Sequence, residues 1–404
     1  MSATDWIIDE VKKVCLRFPK REAGAETTKG SMRYMKEQAR QWADRVEEYP
    51  FRLAPRAFIG SVPLQAACDL AGTLGFWCFY LTRQTGWAWV SAAMFAVSIL
   101  LFIFEYTLYC RFSDCLYPKK NSFNVLATRT AAVESRQKII LCGHADAACE
   151  MPFLLHLKTG WIIFLIIIAD IGKCAYFLFG LLAAICSRSE QILRCFVIIE
   201  SVGLLFSIPF FFFADWKRIV DGANDNLTGC YLGLSILKEM AEKDERLCYT
   251  DLCCLITDGE ESGLRGAMAY AETHRQELLE QKAIVIAVDT IHDPNELMIY
   301  HRGINFTQKN SPAVCKLLHD AGLSCGIDIP KTDFYPGAND SEAFSRNGIP
   351  AAALCAVSHH PTGYYHTRYD SWDNLNPEGI TLTRNVLLAA IKLFDKKESL
   401  SNDL

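Results

Sequence analysis

Four long runs of apolar residues stand out along the chain. They lie at 62–82, 86–109, 160–186 and 195–214, and short polar breaks join them in two pairs. Each run has about 20 residues or more, enough to cross the roughly 30 Å hydrocarbon core of a bilayer. One long apolar helix could be buried in a protein core, but four of them in two pairs favour membrane spans. We therefore predict two transmembrane helical hairpins, four spans in all, in contact with a lipid bilayer.

Outside these runs, strand-like and helix-like segments alternate. Continuous apolar stretches predict strands, and a period of 3.6 residues predicts helices. The strands are expected at 138–143, 248–256, 283–288 and 351–357, and the helices at 228–243, 263–273 and 377–396. Near the start, the spacing predicts two helices, the second at 28–48, and then a short strand at 51–53. Such alternation is typical of an α/β fold with a mostly parallel or mixed central sheet flanked by helices.

The hairpins interrupt this α/β pattern. The second hairpin lies between the strand at 138–143 and the helix at 228–243, so both hairpins are predicted as insertions into one domain. The predicted boundaries are 1–58 for the N-terminal helices and first strand, 59–111 for the first hairpin, 112–155 for the strand that carries His144, 156–216 for the second hairpin, and 217–404 for the rest of the α/β domain.

Charge and cysteine content limit the partners and the cellular compartment that we expect for the protein. The net charge of −5 argues against nucleic acid as a partner, because phosphate binding needs a basic face. The 17 cysteines include no CxxC pair and are predicted to be free thiols in a reducing compartment. More basic residues flank the hairpins than lie at their tips, so the α/β part is predicted to face the cytosol. The flanking residues are Arg52, Arg56, Arg111, Lys119, Lys120, Lys158, Lys217 and Arg218, and those at the tips are Arg83, Arg188 and Arg194.

Polar groups with metal-binding chemistry follow the predicted strands. Parallel strands bring their carboxyl ends to one edge of a sheet, where α/β proteins build sites. The candidates are His144, Asp146, Asp225, Glu260, Glu261, Asp289 and His366. Imidazoles and carboxylates without a thiolate suit Zn²⁺ in a catalytic role. A bridging carboxylate, with one imidazole and one further carboxylate per metal, would form a two-metal centre.

The order of these motifs resembles the zinc aminopeptidase family, which also includes glutamate carboxypeptidases and glutaminyl cyclases. The matching motifs are His-x-Asp at 144–146, Gly-Ala-x-Asp-Asn at 222–226, Asp-Gly-Glu-Glu-x-Gly-Leu-x-Gly at 258–266, Asp289, and Tyr-His-Thr-x-x-Asp at 365–370. The resemblance covers roughly 1–58, 118–150 and 217–396. It departs from the soluble members in separating His144 from Asp225 by about 80 residues, which hold the second hairpin.

The resemblance implies two zinc ions per chain. It assigns His144 and Asp289 to the first zinc, Glu261 and His366 to the second, and Asp225 to a bridging position. It implies further roles for four other residues: Glu260 as general base, Asp146 as the group that orients His144, Tyr365 as a donor to the oxyanion, and Asp340 in the lining of the pocket.

Simpler interpretations exist for several of these residues. Asp225 could cap the helix that follows it, and Glu260 and Glu261 could be a solvated surface pair. Asp289 could share its role with His292 or Asp293, and Tyr365 could simply pack. His359 and His360 are expected in a loop at the rim of the site rather than on a metal.

Taken together, the chain is predicted to be a membrane-anchored di-zinc exopeptidase that removes N-terminal residues from peptides, with a substrate that is itself membrane-associated. The alternatives are a one-zinc enzyme like a glutaminyl cyclase and an inactive membrane binding or scaffold protein. Nothing in the sequence indicates an oligomeric state. Charged residues inside the apolar runs, such as Asp170, Lys173 and Glu200, either hold the helices together or line a groove that admits substrate.

Overall fold

The computed structural model describes residues 1–186, 189–333, 337–357 and 364–396. The chain divides into two compact units. The first, here called the α/β unit, comprises Met1–Pro55, Lys119–Glu150 and Trp216–Leu404. The second, here called the hairpin unit, comprises Arg56–Pro118 and Met151–Asp215.

The elements are numbered in chain order. The helices are α1 (Ala3–Arg17), α2 (Glu26–Ala39), α3 (Ala57–Thr82), α4 (Thr85–Leu101), α5 (Pro152–His156), α6 (Thr159–Ile185), α7 (Glu190–Ser207), α8 (Thr228–Glu242), α9 (Arg265–Thr273), α10 (Arg275–Glu280), α11 (Pro312–Ser324), α12 (Asp340–Arg346) and α13 (Pro377–Lys396). The strands are β1 (Arg45–Leu53), β2 (Lys120–Arg129), β3 (Gln137–His144), β4 (Cys149–Glu150), β5 (Asp215–Ile219), β6 (Thr250–Thr257), β7 (Ala283–Asp289), β8 (Met298–Gly303), β9 (Gln308–Lys309), β10 (Lys331–Asp333) and β11 (Ala351–Cys355).

The α/β unit is built on a mixed sheet with the strand order β1-β2-β6-β3-β7-β11-β8-β10, and β9 pairs with β8. The four central strands β6, β3, β7 and β11 are parallel, while β1, β2 and β8 pair antiparallel to their inner neighbours. Apolar side chains from these strands and from α1, α2, α8, α11 and α13 form the core. This confirms the predicted fold class of a mixed sheet flanked by helices.

The predicted helix at 28–48 was wrong in its second half. Helix α2 ends at Ala39, and β1 begins at Arg45 and pairs antiparallel with β2 over its whole length, from Arg45 opposite Thr128 to Leu53 opposite Lys120. The first half of this edge strand is mostly charged and exposed (Arg45, Glu47 and Glu48), so apolar alternation indicated only its end, at 51–53. Pro50 is tolerated there because an edge strand leaves some of its N–H groups unpaired.

The hairpin unit contains the four predicted long helices. Four helical segments, Ala57–Thr82, Thr85–Thr107, Gly160–Ile185 and Glu190–Phe212, are long and apolar enough to cross a membrane. They pack closely through small residues. A Cβ atom added at Gly180 in α6 would lie 2.9 Å from the backbone nitrogen of Ala92 in α4. Small residues that allow such close approach are typical of helix pairs in membranes.

Candidate metal centre

The sheet brings two of the predicted ligands to one edge. His144 is the last residue of β3 and lies opposite Thr257, the last residue of the parallel neighbour β6. Asp289 ends β7, the parallel neighbour on the other side of β3. The loop after β6 carries Glu260 and Glu261 to the same edge. The shared edge follows from the parallel pairing, as the sequence pattern indicated.

The next predicted ligand, Asp225, follows the second hairpin in the chain. The two chain segments that flank this hairpin lie side by side, because the amide N–H of Val220 donates to the carbonyl of Ala148 over 3.0 Å. The hairpin's length therefore does not set the distance between His144 and Asp225. The chain comes back beside the segment that follows β3 before it reaches Asp225.

The side chain of Arg21 holds these two chain segments together. It is fully buried, and the guanidinium donates to the carbonyl oxygens of Ala145 (2.9 Å), Gly222 (3.2 Å) and Asp221. The first of these carbonyls follows β3, and the other two precede the Asp225 turn. One side chain thus joins the two segments that carry His144 and Asp225.

Asp225 lies between the two imidazoles. Its Oδ1 is 3.1 Å from Nε2 of His144, and its Oδ2 is 3.1 Å from Nε2 of His366. The carboxylate is therefore oriented with one oxygen towards each histidine, as a bridging ligand requires. The N-cap position of α8 is Leu227, and the amide of Gly229 in the first turn donates to Oδ1 of Asn226 rather than to Asp225.

Three more carboxylates complete the cluster. Glu261 Oε2 lies 3.3 Å from His366 Nε2, Asp289 Oδ1 lies 3.7 Å from His144 Nε2, and Glu260 Oε2 lies 3.8 Å from the same nitrogen. The side chains of Glu260 and Glu261 are only 11% and 9% exposed, which excludes a solvated surface pair. Two groups whose ligand atoms lie within 4.8 Å of one another share Asp225: His144, Asp225 and Asp289, and Asp225, Glu261 and His366.

Asp146 organises the loop that carries the glutamates. Its two carboxylate oxygens accept from the amides of Glu260 (3.3 Å) and Glu261 (3.1 Å). Its Oδ1 also lies 3.5 Å from Nδ1 of His144, and its carbonyl oxygen lies 3.2 Å from the same nitrogen. Asp146 therefore fixes both the ring orientation of His144 and the start of the Glu260–Glu261 turn, as a residue behind the metal ligands would.

Asp370 holds the Asp225 turn in a similar way. Its carboxylate is fully buried and accepts from the amides of Asn224 (2.7 Å) and Asp225 (3.3 Å). Burial, together with the nearby Asp225 carboxylate, raises the pKa of Asp370 to about 7. The last motif, Tyr-His-Thr-x-x-Asp, thus supplies both a ligand candidate and the group that positions the bridging one.

The cluster has more carboxylates than imidazoles, and the pKa values reflect this. Burial raises the pKa of Glu261 to about 6 against the opposing effect of His366. Burial tends to lower the pKa of His366, but the carboxylates of Glu261 and Asp225 outweigh it and raise the value to about 10. The two histidines in turn hold the pKa of Asp225 below its usual range, despite its burial. Such a set of close negative groups favours a bound cation.

The residues present fit zinc on two further grounds. Nε2 of His144 and Oε1 of Glu261 are buried and have no hydrogen-bond partner among the described residues. Buried polar atoms are nearly always paired, so orphaned atoms that converge on one point indicate a missing ligand. The donors are imidazole nitrogen and carboxylate oxygen, which suits zinc in an open, catalytic site.

The remaining predicted residues lie around this cluster. Tyr365 is half-buried and stacks on His366 with ring centroids 4.0 Å apart, so it packs beside a ligand candidate, and its role as an oxyanion donor stays a prediction. Asp340 is buried and accepts from the hydroxyl of Thr257 over 2.6 Å. His292 stacks on Tyr364, and Asp293 accepts from the amide of Asn295, which leaves Asp289 as the group beside His144. His359 and His360 lie outside the described residues.

Sequence reasoning missed the supporting role of Arg21 and of Asp370. Arg21 follows a Pro-Lys pair in a charged turn and has no pattern that indicates burial. Asp370 was part of the last motif, and its spacing from His366 was the available signal. What the sequence could not indicate is that its carboxylate reaches back 145 positions to the amide of Asp225.

Comparisons with known proteins agree with this architecture. Residues 208–391 match the sequence profile of Peptidase family M28. This match supports the family resemblance that the motifs indicated, and the matched range includes Asp225, Glu261, Asp289 and His366. No curated protein sequence matches the chain.

Solved structures share the fold at low sequence identity. An aminopeptidase from Aneurinibacillus sp. strain AM-1 is 14% identical with a TM-score of 0.57, and the match covers 97% of this chain and 93% of that one. A zinc aminopeptidase from Bacillus subtilis is 12% identical with a TM-score of 0.56 and coverage of 98% and 97%. A glutaminyl cyclase from an Acidobacteriales bacterium is 13% identical with a TM-score of 0.55 and coverage of 97% and 94%.

Proposed function

We propose that the protein is a membrane-anchored di-zinc aminopeptidase that hydrolyses N-terminal residues from peptides. The observation that carries the proposal is the position of Asp225, with one carboxylate oxygen 3.1 Å from each of two histidines. Each histidine also has a second carboxylate beside it, Asp289 for His144 and Glu261 for His366. This arrangement matches the requirements of a two-metal centre with a bridging carboxylate.

The ligand set supports two zinc ions. His144 and Asp289 would hold one, Glu261 and His366 the other, and Asp225 both. When bound, the two ions would polarise the carbonyl of the scissile bond and lower the pKa of water.

Glu260 is the residue placed for proton transfer. It lies next to a ligand candidate, and the Asp146 carboxylate fixes its backbone through the hydrogen bond from the Glu260 amide. Its carboxylate would accept a proton from the attacking water and then deliver it to the departing amine. The phenol of Tyr365, on the ring stacked against His366, would donate to the oxyanion. The surplus of carboxylates would hold the free amine of the substrate.

The surface of the hairpin unit supports insertion into a bilayer. Many large apolar side chains point outward along its helices, and water-soluble proteins rarely expose so much contiguous apolar surface. Those more than half exposed are Leu74, Leu81, Trp161, Ile171, Leu178, Ile185, Ile198, Val202, Leu205 and Phe212. With the basic residues that flank the hairpins, this favours four spans with the α/β unit in the cytosol. Such an anchor suits hydrophobic peptides produced at the membrane.

The test combines metal content, a single variant and matched substrates. We expect about two zinc ions per chain by elemental analysis of the detergent-purified protein, because the ligand set provides two sites. Glu260→Gln should keep this zinc content and lose about 10²–10⁴-fold in the rate of cleavage of a peptide with a free amine. The exposed Glu280→Gln on α10 is the control and should behave as wild type.

Other results would redirect the assignment. An N-acetylated peptide cleaved as fast as the free one would contradict an aminopeptidase. About one zinc per chain, with an N-terminal glutamine peptide cyclised rather than cut, would indicate a glutaminyl cyclase. A chain that takes up no zinc from a zinc-containing buffer would indicate a binding or scaffold protein.

A further inference from the structure

The hairpin unit contains a partly open cavity, and none of the candidate metal ligands lines it. About 420 Å³ of empty space lies between its walls, and part of that space is open to the surroundings of the unit. Eight of its twelve lining side chains are apolar or aromatic, and they include Val62, Ala66 and Phe102. The other four are polar and belong to two helices, Gln65 and Asp69 on α3 and Asp170 and Lys173 on α6.

The polar side chains of the cavity are unequally paired. Lys173 Nζ lies 2.7 Å from Oδ1 of Asp170 and donates to Oε1 of Gln65 over 2.9 Å. Asp69 is 3% exposed, and its Oδ1 is buried with no hydrogen-bond partner among the residues that the structure describes. The one ammonium of the cavity is therefore engaged by Asp170, while the second carboxylate keeps an open acceptor.

The open oxygen of Asp69 determines which charge a ligand of this cavity should carry. Ser98 and Ser207 hydrogen-bond to the Asp69 carboxylate but leave its Oδ1 without a partner. A buried carboxylate oxygen without a partner is costly in a low-dielectric setting, and intramembrane acidic residues often mark ligand or ion sites. A cationic donor beside Asp69 would pair the free oxygen and balance the two carboxylates of the cavity against two positive groups. An anionic head would be repelled, and an uncharged donor such as a hydroxyl would pair the open oxygen but leave the charge of Asp69 unbalanced.

The walls of the cavity select between kinds of cation. A bare metal ion needs several oxygen ligands. Of the oxygens here, those of Gln65 and Asp170 already engage Lys173. Phe102, Tyr106, Phe210 and Phe213 line the remaining space with aromatic surface, which suits an apolar body. The chemistry that matches both ends is a primary ammonium on an apolar tail.

We propose that this cavity is a binding site for a lipophilic primary amine, with the ammonium on Asp69 and the apolar tail among Val62, Ala66 and the aromatic residues. The proposal goes beyond the peptidase function and is independent of it. Two sources share the chemistry: a single-chain lipid amine, and the amino end of a hydrophobic peptide.

The experiment uses the full chain in phosphatidylcholine nanodiscs and a photoreactive dodecylamine that carries a diazirine on its tail. The matched probe is the corresponding dodecanol, which has the same tail and no charge. We expect the amine to label cavity residues at least tenfold more than the alcohol, as located by mass spectrometry of the digested protein. Asp69→Asn should reduce amine labelling to the level of the alcohol, and Asp69→Glu should restore most of it.

The control variant is Glu200→Gln, which removes a buried carboxylate of the hairpin unit that does not line the cavity. It should label as wild type. Val62→Phe, which fills the cavity from its apolar side, should lower labelling even if Asp69→Asn does not fold. Competition by unlabelled dodecylamine or by trileucine amide then distinguishes the lipid source from the peptide source. Equal labelling by amine and alcohol, or full amine labelling of Asp69→Asn, would overturn the proposal.

Discussion

In the α/β unit, the buried carboxylates of Asp146, Asp370 and Glu342 each accept hydrogen bonds from backbone amides. In the hairpin unit, Asp69 and Glu200 are as deeply buried, yet Oδ1 of Asp69 and both carboxylate oxygens of Glu200 have no hydrogen-bond partner among the described residues. These hydrogen bonds hold the carboxylates of the first group in place, and they also hold the backbone segments whose amides donate to them. The open oxygens of the second group contribute no such restraint.

The exceptions within the α/β unit sharpen the contrast. Several buried polar atoms have no hydrogen-bond partner among the described residues there, including Oδ1 of Asp258 and of Asp340. Two others, Oε1 of Glu261 and Nε2 of His144, belong to the candidate metal centre. An orphaned polar atom near other ligands thus indicates a place for a bound group. A paired carboxylate indicates a structural restraint, and the two kinds should respond differently to substitution.

The largest effect on stability is expected at Arg21. Arg21→Met removes the buried guanidinium and leaves the carbonyls of Ala145, Asp221 and Gly222 without that donor. A buried carbonyl left without a donor costs about 1–3 kcal/mol. The carbonyls of Ala145 and Asp221 lose their N–H donor, while that of Gly222 keeps the amide of Leu227, so the free energy of unfolding should fall by about 2 kcal/mol or more. Thermal unfolding in detergent measures this. Arg40→Met, the same exchange at an exposed site, is the control, and equal stability of both variants would contradict the role of Arg21.

A smaller effect is expected at Asp370. Asp370→Asn weakens the hold on the amides of Asn224 and Asp225, so the bridging carboxylate loses its fixed orientation. Substitution of groups that orient metal ligands typically lowers metal affinity about 10–100-fold. Zinc affinity by competition with a chelator measures it, with the exposed Asp373→Asn as the matched control. An unchanged affinity would show that the turn holds its shape without this carboxylate.

From the buried carboxyl group of Glu342 we predict that the stability of the fold depends on pH. Burial raises the pKa of Glu342 to about 7, although Asn339 and Asn310 donate to it. Its ordinary pKa is 4.5, so between pH 4.5 and 7 the folded state holds a proton that the unfolded state has released. Stability should therefore fall as pH rises through this range, by at most about 1.4 kcal/mol per pH unit for this group.

Glu342→Gln tests this directly. The variant should show a shallower fall of the unfolding midpoint between pH 4.5 and 7, whereas the exposed Glu280→Gln should keep the slope of the wild type. A slope that Glu342→Gln does not change would place the titration elsewhere.

The smallest effect is expected at Glu200. Because its carboxyl group has no partner, Glu200→Gln removes no stabilising contact and should leave the thermal midpoint unchanged or slightly raised. The matched control is Glu105→Gln in the same unit, where the carboxylate accepts from the amide of Ser113 over 2.7 Å. That variant should be less stable than wild type. A large fall in the thermal midpoint of Glu200→Gln would contradict the view that unpaired carboxyl groups of the hairpin unit do not stabilise it.

Much of the α/β unit was predictable because its central strands are continuous apolar runs. β3, β6, β7 and β11 lie within a few residues of their predicted positions, and their parallel pairing places His144 and Asp289 at one edge. The outer strands β1, β2 and β8 were not predicted in full, because packing against their neighbours determines them more than local pattern does.

The site was predictable as a set of residues but not as a geometry. The motifs named the residues that the structure brings together around Asp225. They did not show how the chain returns from the second hairpin, because the pairing of Val220 with Ala148 and the contacts of Arg21 join residues far apart in sequence.

The pairing of Val220 with Ala148 has a consequence for the length of the second hairpin. The second hairpin leaves and rejoins the α/β unit at hydrogen-bonded neighbours, so its length is not coupled to the distance between His144 and Asp225. The entropic cost of a longer connection grows only slowly with its length. The connection between these two neighbours can therefore lengthen or shorten while the residues on either side of it keep their places.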